Sequence, residues 1–287
     1  MPWIIAIASI AAATGAAYLF WRIRFGYPHP SMPRVLAYHK VTGFEMGGTW
    51  VSPRRFYSQI ESLIDAGYRF IDERTYLETI DGLREGSGKE VLLTFDDGYR
   101  MLLSNAFPYL ERRGIPALIF LVSSYVGRRN RWELYWPGRR FMHLDWQEAR
   151  DLAGRGFSFG SHTCTHRDLT ALPPEVLRDE LVRSKLEIEG RLGTQVYSLS
   201  YPFGRAGAGV VREAEKAGYR AAFSLYPSAK QAVDRFMLRR EGVYVIDTRF
   251  SLKTKLSRRG LFWIEDVKGR AINGVAALTP ILKGNRG

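Results

Sequence analysis

Leu92-Leu-Thr-Phe-Asp-Asp-Gly-Tyr99 is the stretch whose reading decides the fold. Val91 to Phe95 is a short apolar run of the kind buried on both faces of a parallel sheet. Two carboxylates, Asp96 and Asp97, leave it directly, and Gly98 frees the backbone to turn sharply. A helical pattern then runs from about Arg100 to Arg112. Successive side chains on extended backbone point different ways, so the pair can divide labour, one ligating a metal while the other takes a proton. An acidic turn capping a helix accounts for Asp97-Gly98 equally well, and this segment alone leaves both readings open.

The same rhythm continues on either side. Arg34–Tyr38, Ala117–Val122, Phe157–Phe159, Tyr197–Tyr201, Ala221–Leu225 and Met237–Val245 read as strands. Helical patterns cover Pro53–Ala66, Trp146–Ala153, Pro174–Leu192 and a stretch near Gly209–Ala217. Alternation of this kind predicts parallel pairing, in an open α/β sheet or a (β/α) barrel. Three strands end in polar residues: His39, Asp96-Asp97 and Gly160-Ser-His162. Barrel active sites lie at those carboxyl ends, so three unrelated segments are expected to meet on one rim.

Ser161-His-Thr-Cys-Thr-His166 supplies the second chemical element. Histidines at i and i+4 share one face of a helical turn and can hold one cation. Two imidazoles and one carboxylate form a three-ligand set that leaves positions open for water and substrate. With a spare carboxylate beside it, every residue type for metal-assisted hydrolysis is present.

Together with Thr94-Phe-Asp-Asp-Gly98 and Ser200-Tyr-Pro-Phe-Gly204, this motif makes residues 34–246 resemble the polysaccharide deacetylase family, the NodB-homology carbohydrate esterases. The resemblance implies an α/β fold, a distorted, incomplete (β/α) barrel of about seven strands, TIM-like, binding one divalent metal. Zinc is the usual ion; Co2+, Ni2+ or Mn2+ are alternatives. By motif, Asp96 is the expected general base and Asp97, His162 and His166 the expected ligands. The backbone N–H of Phe203 is expected to face the developing oxyanion. Tyr99, Tyr201, Trp132 and Trp136 are candidate sugar-binding aromatics. The implied reaction is hydrolysis of the N-acetyl amide of an amino-sugar glycan. Removal of acetyl or formyl from a lipid-linked sugar, and a decayed glycan-binding protein, are the alternatives.

Two departures from the family pattern stand out. Its third motif usually begins with an arginine that steadies the base, where this chain has Ser200. Its late Leu-x-His, which protonates the leaving amine, has no counterpart, since no histidine follows His166. Leu36-Ala-Tyr-His39 offers a substitute, because first and last strands of a closed barrel are neighbours. The chain resembles a permuted branch in its early Tyr-His pair, and His39 is the expected general acid. His29, in the linker, and His143, before Leu144-Asp-Trp146, read as loop residues outside the ligand set.

Charge and hydropathy set the surroundings. A single cysteine, Cys164, excludes an intrachain disulfide and a multi-cysteine metal cluster. The net charge of +13 is concentrated at the ends: residues 249–287 hold nine Lys/Arg against Glu265 and Asp266. That distribution fits anionic lipid and argues against nucleic acid as a partner. Trp3 to Trp21 runs without a charge and is close to a membrane-spanning length. The expected organisation is an anchor over 1–24, a Pro-rich linker over 25–33, the catalytic domain over 34–248 and a basic amphipathic membrane-proximal tail over 249–287. This describes a single-pass protein of a bacterial plasma membrane. Arg22 and Arg24 after the span tilt the domain toward the cytoplasm, with the outer face as the alternative.

Overall fold

The computed structural model describes residues 2–25, 31–45, 47–132, 141–227, 234–257 and 261–276; within 2–25, side chains are described for 3, 9 and 13–22. After helix α1 (Pro2–Phe25) come β1 (Arg34–Tyr38), the short pair β2 (Lys40–Val41) and β3 (Trp50–Val51), and α2 (Pro53–Asp65). Next are β4 (Arg69–Ile71), α3 (Glu73–Ile80), β5 (Glu90–Phe95), α4 (Leu102–Asn105) and α5 (Phe107–Arg112). Then follow β6 (Leu118–Leu121), α6 (Trp146–Ala153), β7 (Ser158–Ser161), α7 (Pro174–Leu192) and β8 (Ser198–Ser200). The order ends with α8 (Ala208–Lys216), β9 (Ala221–Leu225), β10 (Leu238–Gly242), α9 (Arg249–Leu256) and α10 (Phe262–Ala276).

Strands β5, β6, β7, β8, β9, β10 and β1 pair in that order, all parallel, and β1 pairs back onto β5. The ring therefore closes with seven strands, and β4 joins the N-terminal half of β5 as an eighth outside it. The N-terminal strand sits between β10 and β5, the place expected for it in a permuted barrel. Every residue of β1, β5 and β6 is buried, as strands covered on both faces must be. The larger core cluster fills the layer between barrel and helices, where Phe95 meets Phe107 edge to face and Phe56 at a tilt. A smaller cluster of Val35, Leu92, Leu118, Phe120 and Phe223 is built on the barrel strands.

Local sequence explains the helix ends. Ser52 caps α2 by accepting from the Arg55 N–H, with Pro53 in the first turn, where its missing N–H costs nothing. Asp145 and Glu148 form a reciprocal capping box on α6. Gly193 ends α7 at φ 68. The single helix expected over 100–112 is broken at Ala106, because Pro108 cannot donate to Ser104 and its ring crowds that turn. Strand β4 and helix α3 were not expected. Three residues of strand are too few for a periodic pattern to show.

In the described part of the C-terminal stretch, α9 and α10 pack together and α10 packs on β10. Lys255 of α9 is buried, donating to Asp247 and to the Gly242 carbonyl at 2.5 Å each. Among the described residues no helix is long and apolar enough to cross a membrane. Most of the N-terminal half of α1 lies outside the residues whose side chains are described, and the expected anchor over 1–24 falls partly on it.

Candidate active site

Asp96 and Asp97 follow β5 at the carboxyl end of the ring. The Asp96 N–H donates to the Tyr38 carbonyl at 2.9 Å, extending the β1–β5 ladder by one bond. Asp97 then turns away at φ 68, a left-handed conformation costly for a residue with a Cβ. Gly98 continues it at φ 62, where a Cβ would lie 2.5 Å from Leu121. Asp97 thereby faces the loop after β7. His162 Nε2 is 3.7 Å and His166 Nε2 3.5 Å from Asp97 Oδ1, and one ligand atom from each residue lies within 4.8 Å of the others.

The two histidines do not converge by helical spacing. Residues 162–167 are loop, with Thr163 at φ 66 and His166 at φ 60. Glu180 on α7 holds this loop by accepting from the Cys164 and Thr165 N–H groups, both at 2.9 Å. His162 Nδ1 lies 2.7 Å from the Ser200 carbonyl, which places the proton on Nδ1 and the lone pair on Nε2, facing Asp97. Burial lowers the pKa of His162 and pushes that of His166 well down, helped there by the neighbouring His162. Both rings are thus held in the neutral, lone-pair form a cation requires. A buried set of two imidazole nitrogens and one carboxylate suits a divalent ion of the zinc type.

Asp96 is built differently. Arg240 of β10 grips it with two hydrogen bonds, Nη1 to Oδ1 at 2.6 Å and Nη2 to Oδ2 at 2.8 Å. The same guanidinium donates to Ser200 Oγ at 2.7 Å and to Thr94 Oγ1 at 3.3 Å. Burial opposes the Asp96 charge, but Arg240, His162 and His39 outweigh it and hold the carboxyl well below the usual range. This answers the departure at Ser200. A small hydroxyl there leaves room for an arginine arriving from a different strand, two places around the ring. Sequence reading missed Arg240; the available signal was a charged pair, Arg239-Arg240, inside a strand otherwise placed in the core.

The remaining candidates separate. His39 follows β1 with Nε2 3.8 Å from Asp96 Oδ2 and its side chain 15% exposed, at the rim beside the base. Phe203 sits in the turn after β8 at φ 58, its ring 4.9 Å from that of His166. Trp132 stacks on His166 at 4.6 Å and 12°. Tyr99 and Tyr201 are both 0% exposed and belong to the core, so neither offers a ring to a glycan. Tyr99 instead accepts from Asn130 and stacks on His143. Trp136 lies outside the described residues. His143 is no mere loop residue: it is buried, with Nδ1 2.7 Å from the Asp97 carbonyl, bracing the strained ligand.

Comparison with known proteins agrees with this geometry. Residues 84–222 match the family described as polysaccharide deacetylase. That match, with the relatives and solved structures below, supports placing the chain with the polysaccharide deacetylases, which are hydrolases. It is 28% identical over 201 residues to the putative polysaccharide deacetylase YxkH of Bacillus subtilis, covering 70% of this chain and 67% of that protein. It is 25% identical over 194 residues to the poly-beta-1,6-N-acetyl-D-glucosamine N-deacetylase of Staphylococcus aureus, spanning 62% of the length of each. The fold is shared with IcaB from Ammonifex degensii, at a TM-score of 0.68 and 24% identity, covering 80% of this chain and 97% of that one. It is also shared with the Streptococcus pyogenes deacetylase PplD, at 0.69 and 22%, covering 80% and 100%.

Proposed function

We propose that this chain hydrolyses the N-acetyl amide of an amino-sugar glycan in a metal-dependent reaction. The observation that carries the reading is the ionised Asp96, clamped by Arg240 and flanked by His39, beside the buried Asp97, His162 and His166. A divalent ion held by those three, zinc by the donor chemistry, would polarise the acetyl carbonyl and acidify a water. Asp96 is the group poised to take that water's proton, and Arg240 keeps its oxygens oriented. The Phe203 N–H would donate to the developing oxyanion. His39 would give a proton to the departing nitrogen, so that amide and water become acetate and a free amine. Trp132, stacked on His166, would form an apolar wall for the acetyl group or the sugar ring.

The name of the Staphylococcus aureus relatives favours a β-1,6-linked N-acetylglucosamine polymer. The test is acetate and amine release from oligomers of that sugar after removal of metal and titration with Zn2+, Co2+, Ni2+ or Mn2+. Activity should return at one equivalent. A protein that binds one equivalent of metal yet releases no acetate from N-acetylated sugars of any linkage would support the decayed glycan-binding reading instead.

The second reading, acetyl or formyl removal from a lipid-linked sugar, is favoured by the uncharged, mostly apolar residues 13–20 of α1, nearly all exposed. We propose that α1 anchors the chain in a bacterial plasma membrane, with Arg22 and Arg24 favouring a cytoplasmic domain. Reporter fusions after residue 287 test it: a cytoplasmic C-terminus excludes an extracellular polymer as the direct substrate.

A further inference from the structure

Helix α10 is built inside out. Its face toward the barrel carries Phe262 and Asp266, both fully buried, and Gly269, which lies against the Tyr226 ring. Asp266 accepts from Trp21 Nε1 at 2.5 Å, from Arg270 Nε at 2.8 Å and from Arg239. Three donors satisfy a carboxylate that burial alone would penalise, and they lock the helix in one rotation. Turning α10 over would expose Phe262 and leave Arg239 with Glu241 as its one carboxylate partner among the described residues.

The opposite face is therefore held outward, and it is apolar. Leu261 is 50% exposed, Ile264 43% and Val267 45%, and Ala271 and Gly274 continue the stripe. Spacings of three and four place all five on one side of the helix. A soluble helix normally shows solvent its polar side, and this one does the reverse. At about 22 Å the helix is too short to cross a hydrocarbon core, so it would lie along a surface.

The neighbourhood says what that surface is. Helix α1 packs on α10 through Trp21 against Phe262 and Tyr18 against Trp263, and it also exposes Leu19 and Phe20. The adjacent helix α9 exposes Phe250 with Arg249 and Lys253, and Arg258 and Arg259 lie in the sequence between the two helices. A second copy of the chain would bring this basic surface against itself, whereas anionic headgroups complement it.

We propose that the outward face of α10 lies in the interface of an anionic phospholipid membrane beside α1, holding the barrel against the bilayer along this helix. The proposal rests on the membrane reading of α1, and its test separates the two. Cysteine is placed at Ile264, or as a control at Leu186, which is exposed on α7. Native Cys164 is 1% exposed, so a bimane label goes to the introduced site. Each full-length protein is reconstituted with phosphatidylcholine–phosphatidylglycerol vesicles, with and without brominated acyl chains.

The label at 264 should shift to the blue and lose about half its emission to brominated lipid, while the label at 186 is unchanged. Equal quenching at the two sites in protein that floats with vesicles overturns docking by α10 and leaves the α1 anchor standing. Protein that fails to float overturns both. A shift at 264 that follows protein concentration without lipid would make this a contact between copies and also overturn the proposal.

Discussion

Arg240 and Asp96, 144 residues apart, form a buried two-bond pair at 2.6 and 2.8 Å across the end of the barrel. The pair links β10, the last strand of the ring, to the acid that follows β5. Ser200 joins the cluster, its hydroxyl accepting from the same guanidinium.

Arg240→Met should therefore act on chemistry more than on substrate affinity. Without the guanidinium, burial drives the Asp96 carboxyl upward. An ionised base is then present only at higher pH, so the acid limb of the kcat profile moves toward neutrality and kcat falls on the order of 10²-fold. An unpaired buried carboxylate should also cost about 3 kcal/mol of stability. Arg240→Lys should recover stability better than rate, since it lacks the paired geometry. An unchanged acid limb in Arg240→Met would remove Arg240 from the base's machinery.

His39→Gln tests the acid. Metal content by mass spectrometry should be unchanged, while kcat drops on the order of 10²- to 10⁴-fold. Substrates with better leaving amines should be much less affected, because they need no proton. Loss of metal in this variant would assign His39 to binding instead.

Asn273 of α10 donates from Nδ2 to the Phe203 carbonyl at 3.0 Å. That bond helps hold a turn in which Phe203 keeps φ 58. Asn273→Ala should lower kcat roughly tenfold, with KM and metal content little changed, if the Phe203 N–H serves the transition state more than the ground state. A rise in KM alone would contradict this.

Glu73 offers a stability test away from the site. Burial pushes its carboxyl up to about 7, and the adjacent Asp72 adds to the effect. The folded state then holds a proton that the unfolded chain releases near pH 4.5. The stability that Glu73 contributes is fully present below that value and is lost as pH rises toward 7, by on the order of 3 kcal/mol in total. Glu73→Gln should flatten this slope, raising the melting temperature at pH 8 and having little effect at pH 4.5. Parallel melting curves of both proteins across that range would exclude the assignment.

The local alternation of apolar runs and helical patterns was enough to place the chain among α/β proteins, and the family resemblance carried by its motifs implied a barrel of about seven strands. Asp96, Asp97, His162 and His166 were legible because each motif is short and its chemistry is written in adjacent residues. His39 was legible only by supposing that the first strand lies beside the last. The β1–β10 and β1–β5 pairing puts it there.

Other features depend on contacts that no local pattern encodes. Arg240 reaches Asp96 because ring closure brings together strands remote in sequence, and a buried arginine has no periodic signature. Tyr99 and Tyr201 are set beside catalytic motifs in sequence, yet packing turns both rings into the core. The sequence of α10 shows apolar residues at helical spacing, but not which face is covered. That was decided by Asp266, whose three donors lie on α1, β10 and α10 itself and outweigh the burial of Leu261, Ile264 and Val267.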